Sequence, residues 1–193
     1  MSSSSVILAS KSPRRENILK QIGIDFEIIP SNICEDANFN LGPRKFVQYW
    51  SKKKAKVIAK KNKDKIVIGA DTIVYFNGKI IGKPKDKEES YKMLNNLSGK
   101  THKVFTGVSI VYEEKNILRT FSQMTKVSVR EIPKNDILYY IDNYYTLDKA
   151  GSYGIQDWFS IWIKKIDGCY YNVMGLPLSK FYKNYLLVKI IKW

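Results

Sequence analysis

Histidine is almost missing from this chain: His102 stands alone among 193 residues. A histidine-built zinc site is therefore excluded. A Ser-His-Asp triad would have to run through His102, and no nucleophile-elbow motif accompanies it. His102 reads as a strand residue, not a ligand. Two cysteines, Cys34 and Cys169, make neither a disulfide framework nor a paired metal motif. A reducing compartment is the expectation. Acids are few as well, 18 against 33 lysines and arginines, for a net charge of +15. A metal in such a chain must lean on carboxylate oxygen, which points to Mg²⁺ or Mn²⁺. No apolar run is long enough to span a bilayer. The closing Leu186-Leu187-Val188-Lys189-Ile190-Ile191 is too short, and its expected place is on the core or at a subunit contact. The opening Met-Ser-Ser-Ser-Ser carries no basic n-region and no apolar segment. A signal peptide is not expected, and a cytoplasmic protein without a membrane partner is.

What is present is a globular composition, 44% hydrophobic and 13% aromatic, with length enough for one sizeable core. Strand and helix patterns alternate. Val6-Ile7-Leu8-Ala9 reads as a buried strand. A helix comes next, with Ser12 at its N-cap, Pro13 in its first turn and Ile18, Leu19 and Ile22 on one side. Phe26 to Ile29 is extended, and a long helix is expected from Pro43 to about Lys61. Ile66 to Phe76 reads as a strand, buried at its start and closed by an Asn77-Gly78 hairpin. Lys87 to Leu97 reads as a helix ended by Ser98-Gly99. His102 to Tyr112 and Ile117 to Val129 read as an antiparallel pair. Further expectations are a helix from Ile132 to Tyr144, strands at Ile161 to Ile166 and Tyr170 to Val173, and a last helix from Pro177 to Leu186. The mixture predicts an α/β chain with a mixed sheet.

The residues able to carry chemistry are dispersed. Arg14 and Arg15 come after Ser10 and Ser12 at the positive end of a helix, an arrangement that suits a phosphate. The plainer alternative is a strand-to-helix turn with two solvated arginines. Lys54 lies on the apolar stripe Val47, Trp50, Val57, Ile58, so it must snorkel or face a polar cleft. Asp71 succeeds the apolar run Ile66 to Ala70, where a carboxylate is desolvated unless it meets a cation or a proton. Thr72 is its neighbour. Glu35 sits in an irregular stretch beside Asp36. Lys83, between Gly82 and Pro84, could hold a phosphate or be a loop lysine. Gln156 ends the glycine-punctuated Gly151-Ser152-Tyr153-Gly154-Ile155. Its amide could read a nucleobase edge or cap a turn.

Each signal is weak alone, but their order is specific. Leu8-Ala9-Ser10-Lys11-Ser12-Pro13-Arg14-Arg15, Lys54-Ala55, Gly69-Ala70-Asp71-Thr72 and Gly82-Lys83-Pro84 resemble the Maf family of nucleotide pyrophosphatases. So do Leu97-Ser98-Gly99-Lys100-Thr101-His102, Lys149 to Gln156, and Asn172-Val173-Met174-Gly175-Leu176-Pro177-Leu178. The resemblance runs from Val6 to Tyr185. It implies a single Maf/ITPase-like domain over 1–193, an α/β fold with an elongated mixed sheet, flanking helices and two lobes around a deep cleft. It implies hydrolysis of nucleoside triphosphates to monophosphate and pyrophosphate with a divalent metal, in nucleotide-pool housekeeping, often by dimers. Arg14, Thr72 and Gln156 match the branch preferring dTTP and UTP, with modified pyrimidine nucleotides as further substrates. The carried-over roles are catalysis by Asp71, Glu35 and Lys83, and metal binding by Glu35 and Asp71. Substrate binding falls to Ser10, Ser12, Arg14, Arg15, Lys54, Thr72 and Gln156. The chain departs from the family at Asp157-Trp158-Phe159-Ser160, where a small, glycine-rich stretch is usual, and at Cys34 and Cys169, where acids are common. The alternatives are the 7-methylguanosine triphosphate branch, a division inhibitor without turnover, and a nucleic-acid module using Lys52 to Lys65. No nucleic-acid motif or aromatic interleaving supports the last of these.

Overall fold

The structure, a computed structural model, describes residues 5–33 and 41–191. The strands are β1 (Val6–Leu8), β2 (Glu27–Ile28), β3 (Ile66–Phe76), β4 (Lys79–Ile81), β5 (Thr101–Tyr112), β6 (Ile117–Val129) and β7 (Ile163–Asp167). The helices are α1 (Pro13–Gln21), α2 (Pro43–Ala59), α3 (Lys87–Leu97), α4 (Lys134–Asn143), α5 (Tyr170–Met174) and α6 (Leu178–Ile191). The seven strands form one sheet in the order β2-β1-β3-β5-β6-β7, with β4 paired to β3. β1 runs parallel to β2 and β3, whereas β4 and β7 are antiparallel to β3 and β6. The mixed α/β sheet expected from the sequence is therefore present. The hydroxyl pairs Ser109–Thr120 and Thr101–Ser128 run in opposite chain order, as an antiparallel β5–β6 hairpin requires.

The chain divides into two compact units. The first comprises residues 1–71, 106–123 and 175–193, the second residues 72–105 and 124–174. In the first unit, Ile7, Val67 and Val111 of the sheet, and Ala9 just past β1, pack on Ala55, Ile58 and Ala59 of α2, with Ile29 against them. Each fully buried aliphatic side chain contributes about 1.5–3 kcal/mol. Two glycines let α2 lie this close. A methyl group at Gly69 would sit 2.7 Å from Ala55 N and closer still to Ser51 O, and one at Gly107 would strike Val47 O. Val57 departs from the expected stripe: it is exposed, and the buried face of α2 is Val47, Trp50, Ser51, Lys54, Ala55 and Ile58. α6 buries Phe181, Tyr185 and Val188 along one side and exposes Tyr182, Leu186 and Ile190 on another. It continues to Ile191, past the expected end at Leu186.

In the second unit, the Asn77-Gly78 turn joins β3 to β4 with φ of +48° and +77°, the left-handed pair that an Asn-Gly hairpin favours. Asp86 caps α3 by accepting from Glu89 N at 2.7 Å. α3 packs on α4 and on the turn Ala150–Ser152. α4 buries Ile137, Tyr140 and Ile141, one helical face.

Two expected strands differ. Tyr170 to Val173 is not a strand but α5: Gly168, at φ +126°, ends β7, and Asn172 Nδ2 donates to Val104 O and Thr125 Oγ1, both at 3.1 Å. A short aromatic-apolar run does not distinguish strand from helix by periodicity. β7 begins at Ile163, not Ile161, because Asp157 caps a 3₁₀ turn, Trp158–Trp162, by accepting from Phe159 N. No helix among the described residues is long and apolar enough to cross a membrane.

Candidate active site

In the first unit, β1 delivers the chain into the loop that starts α1. Ser12 stands at the N-cap and Pro13 in the first turn, yet the Ser12 hydroxyl makes no capping bond. Ser10 organises the loop instead. Its Oγ accepts from Ser12 N at 3.2 Å and from Arg15 Nη1 at 2.9 Å. Arg15 Nε donates to Gly175 O at 2.8 Å. The two arginines, alike in sequence, thus part ways. Arg15 is buried and spends at least two nitrogens bracing the loop against the start of the α6 segment, while Arg14 is half-buried in the first turn of α1. A loop pinned in this way is ordered before an anion arrives, although the Ser12 amide is already given to Ser10 and Pro13 has none to offer.

Lys54 and Asp71 are brought together. Lys54 Nζ donates to Asp71 Oδ1 at 2.7 Å, with side-chain exposures of 11% and 4%. The lysine on an apolar stripe and the acid in a buried strand are thus one feature, each supplying the opposite charge the other needs. Glycines 69 and 107 set α2 on the sheet, and that placement delivers Lys54 to Asp71. Asp71 also passes the test of donor chemistry for a divalent cation. It is a hard oxygen donor, and a carboxylate with about four lone-pair positions is not used up by one lysine. Among the described residues no group of three or more His, Cys, Asp or Glu could hold a metal. The fit is therefore to a cation held by one or two carboxylates together with substrate phosphates, the usual habit of Mg²⁺. Glu35 and Cys34 lie outside the described residues.

In the second unit, Thr72 is half-buried on β3 and Lys83 is exposed just beyond β4. Gly151 N donates to Gly82 O at 2.9 Å, so the loop bearing Lys83 and the loop leading to Gln156 are tied together. Gly151, at φ +70°, approaches Val74 too closely for a side chain. Gln156 is exposed on a turn at 155–156. The chain passes from it into the 3₁₀ turn, not into the expected strand. Sequence reasoning missed what holds this turn. Tyr140 OH accepts from Gly154 N at 3.0 Å and donates to the Asp157 carboxylate, 3.0 Å from either oxygen. Burial pushes the Tyr140 phenol well above its usual range, and the Asp157 charge pushes it further, so it stays a donor. Trp158 stacks on Tyr140 and Tyr144, and Phe159 is buried. The segment that departs from the family pattern is thus built into an aromatic core. Asp157 ahead of the aromatic run is the one legible sign, as a capping acid. Cys169 at the β7–α5 turn is likewise fixed by its backbone, with bonds to and from Thr125 Oγ1.

His102 is a strand residue of β5, as expected, and it is buried. Its Nε2 lies 2.7 Å from Tyr153 OH, while Nδ1 is buried with no hydrogen-bond partner. Burial lowers its pKa from 6.5 to about 4. Between those values the unfolded chain binds a proton that the folded chain does not, so stability falls as pH drops from 6.5 toward 4. The loss should reach about 3 kcal/mol and then level off. Urea midpoints measured across that range should decline, and more steeply for wild type than for His102→Leu. Parallel declines would remove His102 as the cause.

The chain as a whole has counterparts elsewhere. A sequence profile described as Maf, Maf-like protein, matches residues 5–186. A dTTP/UTP pyrophosphatase of Carboxydothermus hydrogenoformans is 43% identical over 92% of this chain and 95% of its own length. One from Bacillus pumilus is 46% identical over 91% and 92%, and one from Clostridium perfringens 44% identical over 92% and 94%. Among solved structures, the Staphylococcus aureus Ham1 protein aligns with 64% of this chain and 71% of that chain at 17% identity, with a TM-score of 0.45. With a profile spanning nearly every described element, and relatives above 40% identity covering each chain almost end to end, this chain belongs to the Maf family.

Proposed function

We propose that this protein hydrolyses nucleoside triphosphates, dTTP and UTP foremost, to nucleoside monophosphate and pyrophosphate. The observation that carries the reading is the set of relatives named dTTP/UTP pyrophosphatase, 43–46% identical over more than nine-tenths of each chain. Water attacks the α-phosphorus in line; the new bond is oxygen to Pα, and the bond from Pα to the bridging oxygen breaks, with pyrophosphate leaving. Asp71 takes the water's proton, held in place by Lys54. Arg14 and Lys83 neutralise phosphate charge, and Arg15 braces the Ser10–Ser12 loop, whose residues line the substrate in this reading. Asp71 and Glu35 would hold a divalent cation, which supplies further neutralisation of the triphosphate when bound. Thr72 is assigned to substrate binding in the same reading. The same reading includes a homodimer, a cytoplasmic setting and modified pyrimidine nucleotides as further substrates.

Gln156 reads the base. Thymine and uracil present an N3–H donor beside carbonyl acceptors, and an amide side chain meets both at once. Cytosine lacks that N–H and replaces O4 with an amino donor, so an amide held in the orientation that suits thymine is mismatched, at roughly ten- to a hundredfold in selectivity. dTTP and UTP should therefore outperform dCTP and CTP in kcat/KM, and Gln156→Ala should erode the difference. A pyrimidine ratio that is unchanged in the variant would overturn this role.

A further inference from the structure

Gln156 is exposed, so its own side chain does not anchor the turn, whereas Ile155 beside it is buried. Besides that packing, the two limbs of the turn end on one phenol. Gly154 N, two residues before, donates to Tyr140 OH, and Asp157, one residue after, accepts from it. Asp157 Oδ1 also receives Phe159 N at 3.1 Å, and Lys149 Nζ stands 3.9 Å from Oδ2. The limbs press so closely that a methyl group on Gly154 would collide with Asp157 Oδ2. Tyr140 is itself immobile: it is fully buried on α4, with Phe159 5.3 Å and Tyr144 5.2 Å away between ring centroids.

We propose that the Tyr140 hydroxyl and the Asp157 carboxylate are positioning groups for Gln156, and that they set base selectivity by fixing the turn that presents it. The proposal rests on the reading of Gln156 as the base-contacting residue. A bidentate amide contact discriminates only while the amide is held in one orientation. Without the hydroxyl, Gly154 N–H and the Asp157 carboxylate lose the partner that joins them, and the turn can shift. The ring of a phenylalanine would still fill the core.

The test is a double-mutant cycle on the ratio of kcat/KM for dTTP to that for dCTP. Wild type, Tyr140→Phe, Gln156→Ala and the double variant are compared, with melting temperatures alongside. The ratio should fall roughly three- to tenfold in Tyr140→Phe. It should fall no further when that change is added to Gln156→Ala. A merely structural tyrosine would lower the melting temperature and slow both nucleotides alike, leaving the ratio intact, which overturns the proposal. A further fall in the Gln156→Ala background overturns it too, because Tyr140 would then act by another route. An unchanged ratio in Gln156→Ala itself removes the underlying reading and the proposal with it. If Tyr140→Phe does not fold, Asp157→Ala, at a partly exposed side chain, carries the same cycle.

Discussion

Asp71→Asn is expected to lower kcat by roughly two to four orders of magnitude, the usual cost of a lost acid–base group. Asparagine keeps an oxygen for Lys54 but removes both the negative charge and the proton acceptor. The structure adds a consequence for stability. Lys54 is buried against Asp71, and stranding one member of a buried ion pair costs on the order of 3–5 kcal/mol. The variant should therefore melt lower as well as turn over slowly. The two effects separate in Lys54→Met/Asp71→Leu. Replacing both charges with apolar groups of similar size should recover much of the stability and none of the activity. Pyrophosphate release together with urea midpoints on the three proteins reads both effects. Near-normal turnover in folded Asp71→Asn would remove Asp71 from the chemistry.

Removing divalent cations is expected to stop turnover, with Mg²⁺ or Mn²⁺ restoring it. The charges explain why. A triphosphate brings about four negative charges, and the sequence offers Arg14, Arg15, Lys54 and Lys83 against them. The structure reduces that offer. Lys54 is already paired with Asp71, and Arg15 keeps its charge but directs at least two of its nitrogens to the neutral Ser10 hydroxyl and Gly175 carbonyl. On the proposed reading a hard cation would cover the remaining deficit, with Asp71 as an oxygen ligand. Activity measured after exhaustive dialysis with excess chelator checks this, and a full rate there would contradict it.

The features legible in the sequence are those written in local pattern. Asn77-Gly78 specifies its turn through two left-handed residues. Ile66 to Ala70 declares a buried strand by composition alone. Lys54 stands out because a charge on an apolar face needs a reason, and Asp71 because a desolvated acid does. That each is the other's reason depends on the packing of α2 on Gly69 and Gly107. The features that escape are non-local. Nothing in Pro13-Arg14-Arg15 separates a bracing arginine from its neighbour, because the brace is a carbonyl 160 residues away. Nothing around Tyr140 announces a hydroxyl that holds a turn 14 residues on. Val57 shares the helical spacing of the buried stripe but falls at its solvent edge. Tyr170 to Val173 has the aromatic content of a strand, yet the buried Asn172 amide fixes it as a helix.

The central claim is the bond that breaks. The most direct measurement is the identity of the first products from dTTP and UTP, monitored by ³¹P NMR with purified protein, divalent cation present. The account predicts nucleoside monophosphate and pyrophosphate appearing together in equal amounts from the earliest time point. Orthophosphate and a nucleoside diphosphate as the first products would contradict it.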